Sequence, residues 1–564
     1  MAKRILIVGG VAGGASAAAR LRRLDETAEI IIFERGDYVS FANCGLPYYI
    51  GGEIKNRDDL LLQTPENFKK RFNIEVRIGN EVTGIDSEKK QINVKNLSTG
   101  KTHTESYDKL ILSPGAEPVR PPIPGIDSDR IFTLRNVPDT DLINDFIDKH
   151  KPKRAVIVGA GYIGLEMAEN LRRRGMLVAI VEMVDQVLPV MDKEMAGFIQ
   201  PELQKHNVAL WLNDAVANFR PFNSRIEVGL KSGMELSCEI VILAIGVKPE
   251  VKIARQAKLE IGETGGIKVN EELQTSDPDI YAIGDAIEVR DFALDNPTLI
   301  PLAGPANKQG RMVADNICGR NRRYNGTQGT AILKVFDLTV AMTGASEKAL
   351  AKTNVEYEKL YIHPANHVGY YPGAKQMHIK LLFTKPEGKI LGAQIVGSRG
   401  VDRRIDIFAV AIRAGLTVFD LQELELAYAP PYGSGKDAVN MAGFVASNIL
   451  EGTMEVVHWN QLDGTDYILD VRSAGEFKRG NVPSSVNIPV DELRNRLNEL
   501  PKDTAINVYC AVGIRSYIAC RILMQNGFIA RNISGGYITY CSYQNKEVLD
   551  TPPARQLKEE FCII

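Results

Sequence analysis

Two cysteines in this chain have neighbours suited to sulfur chemistry. Cys44 lies in Val39-Ser40-Phe41-Ala42-Asn43-Cys44-Gly45-Leu46-Pro47, a run of polar and turn-forming residues rather than the apolar surroundings of an inert core thiol. A thiolate there is a nucleophile in need of an oxidised partner. The next cysteine is Cys238, so no local disulfide can form, and the partner is a bound thiol, a persulfide or an oxygen held as sulfenate. Cys510 has a different setting. A strand runs into Tyr509-Cys510-Ala511-Val512-Gly513-Ile514-Arg515-Ser516, where a six-residue loop from Cys510 to Arg515 leads into a helix. Successive backbone N–H groups of such a loop can point at the sulfur.

The segment before Cys44 reads as strand, glycine turn and helix. Arg4-Ile5-Leu6-Ile7-Val8 is a buried parallel strand, Gly9-Gly10-Val11-Ala12-Gly13-Gly14 turns the chain, and an Ala-rich helix runs to Leu24. A second strand, Glu29-Ile30-Ile31-Ile32-Phe33, leads to Glu34 and Arg35. Glycines let the backbone approach a pyrophosphate at a helix N-terminus, and the carboxylate accepts ribose hydroxyls. Val11 stands at the second consensus glycine.

The same unit recurs without interruption. Ala155-Val156-Ile157-Val158 leads into Gly159-Ala160-Gly161-Tyr162-Ile163-Gly164, and its acid is Glu182 after Val178-Ala179-Ile180-Val181. Met183-Val184-Asp185 offers no Arg or Lys for a 2′-phosphate, so this site favours NADH over NADPH. Two nucleotide units in one chain suggest an electron relay. Two further apolar strands end in glycine turns at Gly115 and Gly246, and a third reaches Gly284-Asp285, where Asp285 can bond a flavin's ribityl hydroxyl.

Composition narrows the classes. At 564 residues the chain has room for about three or four domains, and its formal charge of -2 gives no reason to expect nucleic acid or an anionic membrane. Its seven cysteines are too irregular for a disulfide framework, none pairs at metal-ligand spacing, and no metal is expected; a reducing cytoplasm fits best. The apolar start is not read as a signal peptide, since cleavage would remove the first glycine turn. No uninterrupted apolar run would span a bilayer. Cys562 is one place too late for a prenylation box.

With these motifs in order, residues 1 to about 450 resemble the flavin-dependent pyridine nucleotide-disulfide oxidoreductases. The resemblance implies an α/β fold: FAD-binding residues 1–153 and 275–329, NAD-binding residues 154–274 and an α+β dimerisation domain at 330–450, which includes the strand Met377-His378-Ile379-Lys380-Leu381-Leu382-Phe383 and a helix at residues 402–414. Ser40-Phe41-Ala42-Asn43-Cys44-Gly45, with its single cysteine, resembles the coenzyme A-disulfide and NADH-dependent persulfide reductases. NADH oxidases and peroxidases also use one cysteine here but carry a histidine in the first glycine turn, where this chain has Ala12.

The resemblance implies a homodimer in which Tyr370 and Tyr428 approach the partner's cysteine. It also implies a coenzyme A pocket at Ser16, Arg20, Arg23, Ser40, Asn43, Asn307 and Lys436, and a gate over the flavin at Tyr162. Arg20 and Arg23 are three apart and share a helix face, as two phosphate-binding guanidiniums could.

Residues 455–555 resemble a rhodanese domain over its full length. They contain Tyr467-Ile468-Leu469-Asp470-Val471-Arg472, Glu476-Phe477 and the cysteine loop, with Gly480-Asn481-Val482-Pro483-Ser484-Ser485 replacing the usual Gly-His-Ile-Pro-Gly-Ala. Cys238, Cys318, Cys520 and Cys541 read as packing residues. The combined expectation is an FAD-dependent NADH reductase of coenzyme A disulfide or persulfide, with small thiols, disulfides and persulfides as partners and Cys510 handling sulfane sulfur. The alternatives are an NADH oxidase or peroxidase working through a Cys44 sulfenate, and a non-catalytic redox sensor.

Overall fold

The computed structural model describes residues 2–545, so Cys562 and the last residues of the expected 455–555 domain lie outside it. The described residues form two compact units, one holding 2–183 and 214–329, the other 184–213 and 330–545.

The first unit is built on two parallel sheets. In one, Arg4–Val8 sits between Glu29–Phe33 and Lys109–Leu112, flanked by Glu75–Arg77 and Ile280–Ala282. Its central strands are buried on both faces, as their unbroken Ile/Leu/Val text requires, and the helix Ala12–Leu24 crosses between the first two. The other sheet repeats the plan, with Arg154–Val158 between Leu177–Val181 and Ile240–Leu243, Ile131–Phe132 at one edge, and the helix Tyr162–Arg173 as crossover. Strand ends of both sheets therefore deliver glycine turns to helix N-termini, where open α/β sheets bind nucleotides.

The second unit joins an antiparallel sheet to a parallel one. The antiparallel sheet runs Ala331–Val335, Leu338–Gly344, Ile390–Gly397, Met377–Thr384 and Tyr357–Ile362, and the helix Val401–Ala414 packs on it. The parallel sheet runs Val456–Val457, Ala530–Ile533, Ile506–Tyr509, Tyr467–Asp470 and Val486–Asn487.

An ion cluster fastens Val184–Asn213 into this unit. The fully buried Lys380 ammonium lies 2.8 Å from Asp192 and also pairs with Glu194 and Glu347. Three carboxylates around one cation would be untenable without it. Among the described residues no helix is long and apolar enough to cross a membrane.

Candidate active site

Cys44 sits in a 3-10 turn, Asn43–Gly45, that continues into the short helix Leu46–Ile50. The turn is tied to the first glycine fingerprint. Ser40 N–H donates to the Gly10 carbonyl at 2.8 Å, and Ala42 N–H to the Leu60 carbonyl at 2.7 Å. Buried Val39 packs against Gly10, where a Cβ would stand 2.6 Å from its Cγ2. Ser40 takes a left-handed φ of 50°, the bend that brings the chain back.

Cys44 itself is solvent-exposed and free. The surrounding protein still pushes its thiol up, by desolvation first and then by the charges of Glu166 and Asp285. The turn there is 3-10, and the helix that follows it is short. Sequence reasoning missed Glu166. It lies half-buried on Tyr162–Arg173, accepts a 3.3 Å hydrogen bond from the Tyr48 hydroxyl, and is pushed up to about 7 by burial.

Both nucleotide fingerprints close in the same way. Glu34 accepts from Gly10 N–H and Gly36 N–H, both at 2.9 Å, and Glu182 accepts from Ala160 N–H at 2.8 Å. Each acid thus stands beside its glycine turn. The tightest approaches in each turn fall at the last glycines: a Cβ on Gly14 would stand 1.9 Å from the Gly9 oxygen, and one on Gly164 2.1 Å from the Gly159 oxygen. Gly161, Gly115 and Gly246 have nothing within 4 Å of an added Cβ, which leaves open backbone for a bound group to lie against.

The antiparallel pair Ala116–Pro118 and Val247–Pro249 follows both turns and sets them at its opposite ends, the Gly115 carbonyl accepting from Glu250 N–H and the Gly246 carbonyl from Val119 N–H, both at 3.0 Å. Gly13 packs against Ser113 and Ile283, Gly284 N–H donates to Gln309, and half-buried Asp285 follows. Arg35 is exposed and lies 3.6 Å from Glu250. Tyr162 opens the second helix and is half-buried, its hydroxyl pushed up to about 12 by burial. The two turns and their acids fit a dinucleotide each.

The expected coenzyme A pocket divides. Ser16 and Asn307 meet across the helices Ala12–Leu24 and Ala303–Ile317, Ser16 donating to the Asn307 side-chain oxygen. Ser40 and Asn43 flank Cys44. Arg20 is bound to Asp315 at 2.9 and 2.7 Å, whereas Arg23 is exposed, its guanidinium 5.8 Å from the Phe72 ring. Between them Arg22, which the sequence did not single out, is buried with five backbone carbonyls as acceptors, and holds Ala12–Leu24 to the following turn.

Tyr370, Tyr428 and Lys436 belong to the second unit. Tyr370 and Tyr428 are 74% and 47% exposed, and their hydroxyls bond to each other at 2.8 Å. A buried ion pair stiffens the loops that carry them. Arg404 binds Asp437 at 2.6 Å and the Asn366 carbonyl at 3.0 Å, while Asp437 caps the helix Ala438–Leu450 directly after exposed Lys436.

Cys510 is fully buried at the end of Ile506–Tyr509. Gly513 N–H donates to its sulfur at 3.1 Å and the Ser516 hydroxyl at 3.5 Å. Arg515 lies on the first turn of the helix Ile514–Gln525 and grips Glu476 through two bonds of 2.8 and 2.7 Å. That grip holds the Glu476 carboxyl down to about 2. Buried Arg472 bonds Asp470 and lies 4.1 Å from the Tyr537 ring. Ser484 adopts a φ of 65° where the usual motif has glycine. Cys238, Cys520 and Cys541 are buried, and Cys318 is half-buried.

Known proteins match along the whole chain. A pyridine nucleotide-disulphide oxidoreductase family model matches residues 3–310, that family's dimerisation domain matches 330–438, and a rhodanese-like domain matches 456–542. A coenzyme A disulfide reductase of Staphylococcus haemolyticus is 40% identical over 79% of this chain and 100% of its own. The crystal structure of reduced Bacillus anthracis CoADR-RHD is 51% identical, with a TM-score of 0.94 over 100% of both chains. An NAD-dependent persulfide reductase from A. fulgidus is 36% identical, with a TM-score of 0.90 over 95% of this chain and 100% of that one. The chain therefore belongs to the flavin-dependent pyridine nucleotide-disulphide oxidoreductases, with a rhodanese-like domain following its dimerisation domain.

Proposed function

We propose that this protein is an NADH-dependent reductase of coenzyme A disulfide and coenzyme A persulfide that works through Cys44, with Cys510 carrying sulfane sulfur. The observation that carries the reading is the exposed Cys44 thiol in a turn bonded directly to the first glycine fingerprint. Gly9, Gly10, Ala12, Gly13, Gly14 and Glu34, with Arg35, Gly115, Gly246, Gly284 and Asp285, would hold FAD, and Gly159, Gly161, Gly164 and Glu182 would hold NADH; the bound pair would supply two electrons to sulfur.

Cys44 thiolate attacks one sulfur of the coenzyme A disulfide, forms a mixed disulfide and releases coenzyme A thiolate. Two electrons then split the mixed disulfide and restore Cys44. With a persulfide the sulfane sulfur passes to Cys44 and leaves as sulfide. Because the protein's own groups push the Cys44 thiol up, the compensation belongs to the bound cofactor and substrate.

Ser16 with Asn307, Ser40 and Asn43 bind the coenzyme A arm. Arg23 contacts its phosphates, with Arg20 beside it held by Asp315. Tyr162 covers the flavin until nicotinamide displaces it. In a homodimer, the hydrogen-bonded hydroxyl pair of Tyr370 and Tyr428 donates a hydrogen bond to the leaving thiolate in the partner's site. At Cys510 the loop amides and Arg515 hold a persulfide, which passes its outer sulfur to a small thiol such as coenzyme A. A thiol substrate and cysteines that must stay reduced favour a reducing cytoplasm as the setting.

Stopped-flow reaction with NADH and coenzyme A persulfide tests the reading. Cys44→Ser is expected to abolish turnover, and Cys510→Ser to leave reduction of coenzyme A disulfide intact. Turnover that survives the loss of Cys44 would defeat it. Rapid NADH consumption with oxygen or peroxide alone would point instead to sulfenate chemistry.

A further inference from the structure

The helix Gly536–Tyr543 closes the rhodanese-like domain and holds the cysteine loop. Tyr537 N–H donates to the Cys510 carbonyl at 2.8 Å, and Ile538 N–H to the Ala511 carbonyl at 3.1 Å. A Cβ on Gly536 would stand 2.3 Å from the Cys510 oxygen, so the contact admits only glycine.

The residues just before this helix face the antiparallel sheet. Ser534 Oγ accepts from Tyr361 N–H at 3.0 Å, the Gly535 carbonyl lies 3.0 Å from His363 Nε2, and Thr539 Oγ1 lies 2.9 Å from the same nitrogen. Gly535 and Gly536 both have left-handed φ, 75° and 55°. Two adjacent residues therefore join the sheet to the carbonyl of Cys510.

The proton pattern along this path follows from its acceptors. A carbonyl can only accept, so His363 Nε2 carries the hydrogen and its Nδ1 is an acceptor. His378 Nδ1, 2.9 Å away, then donates to it, and the His378 ring stacks on Phe198 with centroids 3.9 Å apart. Burial holds both rings neutral, pushing His363 down to about 4 and His378 well below its usual range. The path from Phe198 through His378 and His363 to Gly535 is a continuous run of a ring stack and hydrogen bonds, the kind of support that fixes a reactive loop.

We infer that His363, directly after the strand Tyr357–Ile362 of the antiparallel sheet, is a positioning residue for the sulfur-transfer loop: its bond to the Gly535 carbonyl sets the glycine pair on which the Cys510 backbone rests. The inference builds on the proposed role of Cys510. It predicts that sulfur transfer responds to a residue of the reductase's dimerisation domain.

The test uses full-length, FAD-loaded protein with glutathione persulfide as donor and cyanide as acceptor. Cys510 thiolate takes the outer sulfur and releases glutathione, and cyanide then removes that sulfur as thiocyanate, which is measured. His363→Leu removes the donor, whereas His363→Gln keeps an amide N–H near the position of Nε2. His363→Leu is expected to slow thiocyanate formation at least about tenfold, as misplacement of reacting groups does. NADH-dependent reduction of coenzyme A disulfide should stay within about twofold, and His363→Gln should recover most of the loss.

Unchanged transfer in His363→Leu, equal loss in both variants, or parallel loss of both activities would each overturn the inference. Cys510→Ser separates the two layers of the argument. If transfer survives Cys510→Ser, the reading of Cys510 fails and the role of His363 with it; if transfer is lost there but kept in His363→Leu, only the positioning role fails.

Discussion

At the scale of single residues, the environment of Cys44 poses an electrostatic problem. Burial, Glu166 and Asp285 all oppose its thiolate, and Glu166 is itself pushed up to about 7. As pH rises through 7, Glu166 loses its proton and places a negative charge near the sulfur, so thiolate formation becomes harder over the range where a nucleophile is needed. A neutral amide of the same shape removes that charge. Glu166→Gln should therefore move the Cys44 titration to lower pH, read as the pH midpoint of iodoacetamide alkylation in NADH-reduced protein carrying Cys510→Ser. An unmoved midpoint would mean that Glu166 is not felt at the sulfur. Glu166 escaped sequence reasoning because its meaning lies in the Tyr48 hydroxyl and the cysteine turn, neither of them near it in the chain.

At the scale of elements, both strand-turn-helix units were legible because their signals are local: unbroken apolar strands, glycines in a fixed order and an acid at the next strand end. Those glycines also make the two nucleotide sites separable by experiment. A Cβ at Gly164 would press on the Gly159 oxygen and move the second helix away from its turn, leaving the first untouched. Gly164→Ala should raise the KM for NADH about tenfold while the protein keeps its yellow cofactor; loss of flavin from this variant would contradict the division of labour.

Long-range polar contacts were not legible. Arg20, read as a phosphate ligand, is tied to Asp315 on a helix distant in sequence, and Lys380 looked like an ordinary alternating position of its strand. Yet Lys380 is the cation on which Asp192, Glu194 and Glu347 depend. Lys380→Met should cost about 3–5 kcal/mol in chemical denaturation at neutral pH. Although burial pushes Glu347 up, Lys380 and Lys359 outweigh it and hold the group down to about 2, against an ordinary 4.5. That contribution is present above pH 4.5 and fades as pH falls toward 2. Wild-type stability should therefore fall over this window more steeply than that of the variant.

At the scale of the whole molecule, the exposed tyrosine pair argues for a site completed by two chains. Tyr370 and Tyr428 bond to each other, sit on loops stiffened by the buried Arg404–Asp437 pair, and remain exposed. Rigid, exposed, mutually oriented hydroxyls suit an incoming surface, and a two-fold dimer would present each pair to the other chain. Mixed dimers decide the question. One chain carries Cys44→Ser with native tyrosines, and the other keeps Cys44 but carries Tyr370→Phe and Tyr428→Phe. If the tyrosines act across the interface, every mixed dimer has one intact site, the cysteine from the second chain and the hydroxyls from the first. Random reassortment makes half the dimers mixed, so about a quarter of the wild-type sites should return. If the tyrosines serve their own chain's cysteine, no dimer in the mixture holds an intact site, and reduction of coenzyme A disulfide stays at the level of the separate variants.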